Sequence, residues 1–372
     1  MAQTKKILFY RNDFAANAIR RLADGVGGVG YYRIIKPYEY TKEHKKEIVG
    51  INLQKRKWKE IFKEFDIFWA SYFSDPHQAS QMFYHRDLYK KKVIIDLDDN
   101  YLDVLPNHPL YDRFKPTKKD KAFCSTILSF ADAITVSTEP LRQRLDEHLQ
   151  KVFGLKKKIF VLPNMNDIKD WNFKPAEKNK DKIVIGYSGS NSHYEDLQMM
   201  LPSLGKIMDK YPNVYFEIMG AVGKSNIELF SCFSESARKR TDMIQPTWGF
   251  AEYPKRLSEM RWDIGIAPLA DSAFTRCKSS IKFFEYATYK IPTIASKVYP
   301  YYVPCFGKEI IEDGVTGLLC QPDEWFDAFE SLILNEEKRK TIGQNAYDFV
   351  KKEWQYSNSG YSDVIAEIIK AL

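Results

Sequence analysis

The sequence predicts an α/β chain of two doubly wound domains in tandem, and three observations predict it. Short apolar runs rich in β-branched and aromatic residues alternate with longer helix-period stretches throughout, which is how βα units feeding a parallel sheet read. Near the middle this series is interrupted by NFKPAEKNKDK (172–182), polar and charged, which reads as an interdomain linker. The 372 residues suffice for two domains of ordinary size.

In the first domain, residues 1–171, strands are expected at KILFY (6–10), IFWAS (67–71), VIIDL (93–97), AITVS (133–137) and IFVLP (159–163). Helical spacing of apolar residues marks 31–45, 78–90, 120–131 and 139–150, with Thr138 as the N-cap of the last. The second domain, 183–355, opens with KIVIGYS (182–188) and continues with VYFEIMG (214–220), MIQPT (243–247), IGIAPL (264–269), PTIAS (292–296) and GLLCQ (317–321). Helices fit at 194–211, 254–261, 279–289, 322–334 and 336–353. From Ser359 onward Val364, Ile365, Ile368, Ile369 and Leu372 repeat at helical spacing, giving a terminal amphipathic helix.

With 44% hydrophobic and 28% charged residues, a disordered chain, a collagen-like repeat and a disulfide mini-protein are excluded. There is no apolar stretch near the ~18 residues of a membrane span and no apolar core in MAQTKKILFYRND, so a cytoplasmic protein is expected. The five cysteines form no CxxC pair and the six histidines no HExxH, which favours reduced thiols over disulfides or zinc. The net charge of +7 is unevenly placed. Residues 1–180 hold 34 Lys+Arg and 23 Asp+Glu, or +11, and residues 181–372 hold 22 and 26, or −4. Runs such as KEHKK (42–46), KRK (55–57), KKK (90–92) and KKK (156–158) are either solvated surface or a face that meets something anionic.

The most informative segment is RCKSSIKFFEYATYKIPTIAS (276–296). A helix from Ser279 brings Lys278, Lys282 and Glu285 near one face at spacings of four and three. Two ammonium groups beside a helix N-terminus suit a diphosphate, and the carboxylate a turn further on suits ribose hydroxyls; a surface helix with an (i, i+3) ion pair is the alternative. In IGYSGSNSHYEDL (185–197), Ser188, Gly189 and Ser190 end a strand where backbone N–H groups can approach phosphate, with His193 close by as ligand or plain surface residue. Four glycines between Gly25 and Gly30, Gly27 and Gly28 among them, call for positive φ or a close backbone approach; Tyr31 and Arg33 follow. Asp96, Asp98, Asp99 and Asp103 cluster at a strand end, where a hard cation is chemically feasible.

The 276–296 segment resembles the donor-binding signature of group 1 (family 4-like) glycosyltransferases of the GT-B fold, through Glu285, Ala287, Lys290, Pro292 and the strand ending IASK. The resemblance implies two Rossmann-like domains facing a cleft, with a C-terminal helix, 356–372, crossing back to the first. It implies that Glu285 binds the donor ribose while Lys278 and Lys282, with Ser279, neutralise and hold the phosphates. Ser188 to Ser190 and His193 would touch the diphosphate, Thr247 to Phe250 would read the base with Trp248 or Phe250 stacking on it, and Pro268 and Leu269 would cover the donor. Gly27 and Gly28 belong to a glycine loop on the cleft, and Tyr31, Arg33, Asp98 and Asp99 to the acceptor side. His77 would orient the acceptor hydroxyl or be an ordinary loop residue. One departure stands out: many members carry a second glutamate eight residues earlier, and here that position is Cys277. Asp271 or a neighbouring backbone amide is the candidate to replace it.

The function implied is sugar transfer from a UDP- or GDP-sugar to an acceptor hydroxyl with retention of configuration, without metal or other cofactor. The acceptor is expected to be anionic, either a modified DNA base or a glycan or lipid-linked intermediate at the inner membrane surface, with no stable protein partner. A GT-B sugar-nucleotide epimerase and a catalytically silent nucleotide-sugar-binding protein are the alternatives.

Overall fold

The computed structural model describes residues 4–10, 27–50, 56–71, 75–106, 108, 110–114, 119–220, 228–247, 249–303 and 309–372. Its two sheets are all-parallel and six-stranded. The first holds β1 (Lys6–Tyr10), β2 (Lys45–Val49), β3 (Ile67–Ser71), β4 (Lys92–Leu97), β5 (Ala133–Val136) and β6 (Ile159–Val161), in the order β2-β1-β3-β4-β5-β6. The second holds β7 (Ile183–Ser188), β8 (Val214–Met219), β9 (Thr241–Ile244), β10 (Ile264–Ala267), β11 (Thr293–Ser296) and β12 (Leu318–Cys320), in the order β12-β11-β10-β7-β8-β9. The central strands β3, β4, β7 and β10 are buried along their whole length, apart from a half-exposed Lys92 where β4 starts. That burial on both faces is why they read as unbroken apolar runs.

One element departs from the sequence expectation. Residues 31–45 do not form one helix. Gly28–Gly30, Tyr31–Ile35 and Lys36–Tyr40 run on helically with a π turn in the middle, and the chain then turns into β2. β2 is an edge strand with no fully buried residue, so KKEIV shows no apolar run by which to find it, and its lysines suit an edge that must not pair further. The glycine density also resolves differently. Gly27 and Gly30 have φ of −69° and −64°, and none of the described glycines of the run, Gly27, Gly28 and Gly30, is left-handed; Gly27 caps the helical run, its carbonyl accepting from the Tyr31 N–H, and Gly25 lies outside the described residues.

Beyond the separate cores of the two domains, one apolar cluster is continuous between them. It extends from Ile7, Phe9 and Trp69 through Trp171 and Phe250 to Phe284, Trp354 and Ile368. The two chain crossings run side by side: the Asn166 N–H donates to the Trp354 carbonyl, the Tyr356 N–H to the Asn166 carbonyl, and the Ile168 N–H to Gln355 Oε1. Residues 361–370 then form a helix whose Tyr361, Ile365, Ile368 and Ile369 are buried. It lies against the first domain, where Lys5 Nζ donates to the Ile369 carbonyl and the Tyr361 ring meets Tyr40 edge-on.

Candidate donor site between the domains

A cavity of about 360 Å³ opens between the C-terminal ends of the two sheets. The second domain supplies most of its wall. After β7, Ser188 leads into Gly189 and Ser190, and a Cβ on Gly189 would come within 2.4 Å of the buried Tyr187 hydroxyl. Only glycine therefore lets the turn pass over that ring. Gly220, at φ 85°, packs against the Gly189 carbonyl from behind.

Across from this turn the chain runs through Lys278 and Ser279 into the helix Ile281–Thr288. Lys278, Ser279, Lys282 and Glu285 all line the cavity, together with Ser188, Gly189, Ser190, His193, Thr247, Phe250 and Leu269. From the first domain come Gly27, Gly28, Asp98 and Asp99. The sequence-derived set is thus largely brought to one place.

The electrostatics are set by a few contacts. Lys278 Nζ lies 2.8 Å from Asp99 Oδ1, an ion pair across the two domains. Burial works against the Lys278 charge, but Asp99 outweighs it and holds its pKa above the ordinary lysine value. Lys282 has no such partner: among the described residues no carboxylate lies within ion-pair distance, and its Nζ faces His193 Nε2 at 3.5 Å. Burial, reinforced by Lys278, lowers its pKa to about 8 in spite of Glu285. His193 Nδ1 is 2.6 Å from Asp196 Oδ2, and Asp196 Oδ1 accepts from the Ala270 N–H at 2.7 Å. Burial and the nearby lysines press the His193 pKa down to about 4. The neutral ring then donates from Nδ1 to Asp196 and turns its Nε2 lone pair to Lys282.

Glu285 is buried, and burial raises its pKa to about 7. Both its oxygens are held by tyrosines, Oε1 by the Tyr32 hydroxyl at 3.0 Å and Oε2 by the Tyr253 hydroxyl at 2.9 Å. Neither tyrosine, nor Asp196, was singled out by sequence reasoning. Tyr32 is hidden there by its neighbours in GYYR, and Tyr253 reaches the site only because its short helix packs beside the linker.

Several expected site residues lie elsewhere. Arg33 is fully buried and grips Asp96 through two hydrogen bonds of 3.0 and 2.6 Å, with Asn164 Oδ1 and the Leu162 carbonyl as further acceptors. It ties the helical run to β4 and the crossing loop; four of its five N–H groups are taken up there, and the fully buried side chain does not line the cavity. Tyr31 is buried, donates to Asp170, and stacks on Phe250 with ring centroids 3.7 Å apart. That stack takes one face of Phe250, while Tyr32 and Trp171 meet the ring edge-on; Phe250 joins the domains, and a base cannot stack on the covered face. Asp271 is exposed and paired with Arg276 at 2.6 Å, outside the cavity wall. His77 stands exposed at the start of the Pro76–Leu88 helix, and Pro268 is buried; neither lines the cavity. Trp248 falls outside the described residues.

The carboxylates of the 96–103 segment are dispersed among partners: Asp96 with Arg33, Asp98 with Asn164, Asp99 with Lys278 and Asp103 with Arg144. Glu39, Asp167 and Asp170 do converge, but the Lys36 ammonium lies among them at 2.8, 3.0 and 2.5 Å. Cys277, at the position of the missing glutamate, is buried against the first domain, and its carbonyl accepts from Thr138 Oγ1 at 2.8 Å.

Residues 167–349 match the family Glycosyl transferases group 1. No curated protein matches the chain. Among solved structures the chain is similar to a glycosyltransferase from Rickettsia africae ESF-5, with a TM-score of 0.62 and 13% identity, over 99% of this chain and 98% of that one. It is similar to a mutant of S. aureus TarM in complex with fondaparinux, alpha-GlcNAc-glycerol and UDP, with a TM-score of 0.56 and 15% identity over 82% of this chain and 55% of that one. The pneumococcal O-GlcNAc transferase GtfA, in complex with UDP and GlcNAc, gives 0.55 and 13% over 84% and 58%. The chain thus spans a little over half the length of TarM and of GtfA. The match to the group 1 glycosyltransferases thus falls on the second domain and the crossing that leads into it, and the pair of facing sheets is the GT-B fold.

Proposed function

We propose that the chain transfers a sugar from a nucleoside diphosphate sugar to an acceptor hydroxyl. The observation that carries this reading is Lys282, a half-buried ammonium at the cavity wall with no carboxylate to pair with among the described residues. A diphosphate supplies the missing anion. As the bond from the anomeric carbon to the phosphate oxygen breaks, negative charge grows on the leaving diphosphate, and Lys282 and Lys278 stabilise it. Glu285, one turn on, accepts from the ribose hydroxyls, and Tyr32 and Tyr253 hold its carboxylate in place. UDP is the first nucleotide to test, since TarM and GtfA are bound to it in their crystals, and GDP the second. Retention of configuration is the outcome implied by the family.

For the acceptor, the first domain offers Asp98 and Asp99 at the cavity. Entry of the diphosphate pulls Lys278 off Asp99, and the freed carboxylate is then placed to accept from an incoming hydroxyl. Residues 90–92 and 156–158, two of the lysine runs behind the expectation of an anionic acceptor, lie at the opposite ends of β4 and β6. An anionic acceptor would therefore have to be held away from its reacting hydroxyl.

Calorimetry with UDP and GDP tests the donor, and nucleoside diphosphate release with oligosaccharide, lipid-linked glycan and hydroxymethylated duplex DNA tests the acceptor. Lys282→Ala is expected to weaken UDP binding at least ~10-fold, the loss of one charge-assisted contact, with the circular dichroism spectrum unchanged. Equal affinity in variant and parent would sink the assignment.

A further inference from the structure

The surplus base of the first domain gathers at the end of its sheet remote from the cavity. Arg86, Lys90, Lys91, Lys92, Lys157 and Lys158 line one open hollow of about 590 Å³ there. Asp87 and Asp132 line it with them, and Asp66 pairs with Lys91 at 2.6 Å, so six cationic side chains meet three acidic ones.

Beside the hollow the chain makes a fixed turn. Gly154, at φ 65°, closes the Glu139–Phe153 helix, its N–H donating to the Gln150 carbonyl and that of Leu155 to the Leu149 carbonyl. The turn leaves Val152 54%, Phe153 37% and Leu155 38% exposed, between Lys151 on one side and Lys156 to Lys158 on the other. Phe130, 54% exposed, adjoins it: Lys157 Nζ donates to the Ser129 carbonyl at 2.8 Å, and Arg86 Nη1 to the Phe130 carbonyl.

Lysines alone are ordinary solvated surface, and scattered apolar residues need no explanation. Four large apolar side chains held out among lysines on a hydrogen-bonded turn are a different arrangement. Phe130 and Phe153 have rings on which a nucleic acid base could stack, but Val152 and Leu155, exposed beside them, have none, and a base-stacking surface has no use for them. Cations that meet anionic headgroups around an apolar tip that enters the acyl boundary are what an anionic bilayer binds.

We propose that the 151–158 turn, Phe130 and the Arg86 hollow together form a docking surface for an anionic lipid bilayer. The cleft then faces away from the lipid, and the inference stands whether or not the transfer reading holds.

The test is co-sedimentation of the full chain with vesicles of phosphatidylcholine alone or mixed three to one with phosphatidylglycerol. Binding to the mixed vesicles is expected, and at least ~10-fold weaker binding to the neutral ones. Phe153→Ser with Leu155→Ser should cost about tenfold in the partition coefficient. Lys151→Glu with Lys156→Glu should cost about thirtyfold or more. Both pairs change exposed side chains, and thermal melts together with an unchanged UDP affinity, if UDP binds, would check that they fold. Equal partition to both vesicle types, or no binding to either, overturns the proposal. So does binding of single-stranded DNA that matches vesicle binding in affinity and is untouched by the serine pair, which would make the face a polyanion site.

Discussion

Lys282 and Glu285 sit three residues apart on one helix, and burial pushes each toward its neutral form, to about 8 and about 7. The signs matter. Glu285, raised, favours the fold below its ordinary 4.5, and that contribution is lost as pH rises through about 7. Lys282, lowered, favours it above 10.5, and that is lost as pH falls through about 8. Near neutral pH burial therefore works against a mostly charged Lys282 beside a Glu285 that is about half protonated, and a diphosphate relieves the first. Above about 8, where free Lys282 is neutral, binding must take up a proton, so UDP affinity should fall by up to ~10-fold per pH unit. Calorimetry in buffers of different ionisation enthalpy reads that uptake, and Lys282→Arg should abolish it, since guanidinium stays charged. Asp99→Asn should act the other way on Lys278: with no carboxylate to displace, UDP binds several-fold tighter, while loss of the half-buried pair lowers stability by about 1–3 kcal/mol. Urea melts and calorimetry separate the two. At this scale the sequence carried Lys278, Lys282 and Glu285, because helix geometry converts their spacing into a shared face. It misplaced Arg33 and Tyr31, because nothing local says that Asp96, 63 residues away, and Asp170 would claim their polar atoms.

At the level of elements, the turn after β7 is held by a contact between neighbours two residues apart. Gly189→Ala drives a Cβ into the buried Tyr187 ring, with carbons as near as 2.8 Å, and a ring packed on all sides cannot yield without moving β7. The expected loss is about 2–3 kcal/mol of stability, seen in thermal melts, together with weakened UDP binding, because the same shift displaces Ser188 and Ser190. Unchanged stability would show that the turn has slack. The strands of both sheet centres were legible as apolar runs because both their faces are covered. β2 was not, because an exposed edge strand leaves no such run. The glycine run called for positive φ or a close backbone approach, and its described part, from Gly27, is the entry to a helix, since lacking a side chain is compatible with each and only the backbone path decides.

The whole molecule is closed by its second crossing. Ile365 and Ile368, buried on the first domain, come from the far end of the chain, so substituting both by serine should destabilise by about 4–6 kcal/mol. Hydrogen exchange should show the loss at β1 and the 28–40 helical run before it reaches β8 and β9. Protection lost uniformly would mean the domains unfold as one unit through their continuous core. The sequence by itself determined the two-domain βα series and the spacing that puts Lys278, Lys282 and Glu285 on one stretch of chain, because periodicity and local spacing are properties of neighbouring residues. The tertiary structure alone decided that Asp99 pairs with Lys278, that Tyr32 and Tyr253 hold Glu285, that Phe250 joins the domains, and that much of the basic surplus lies opposite the cleft. Each of these joins residues far apart in the chain, and burial and charge act through distance in space, on which sequence separation has no bearing.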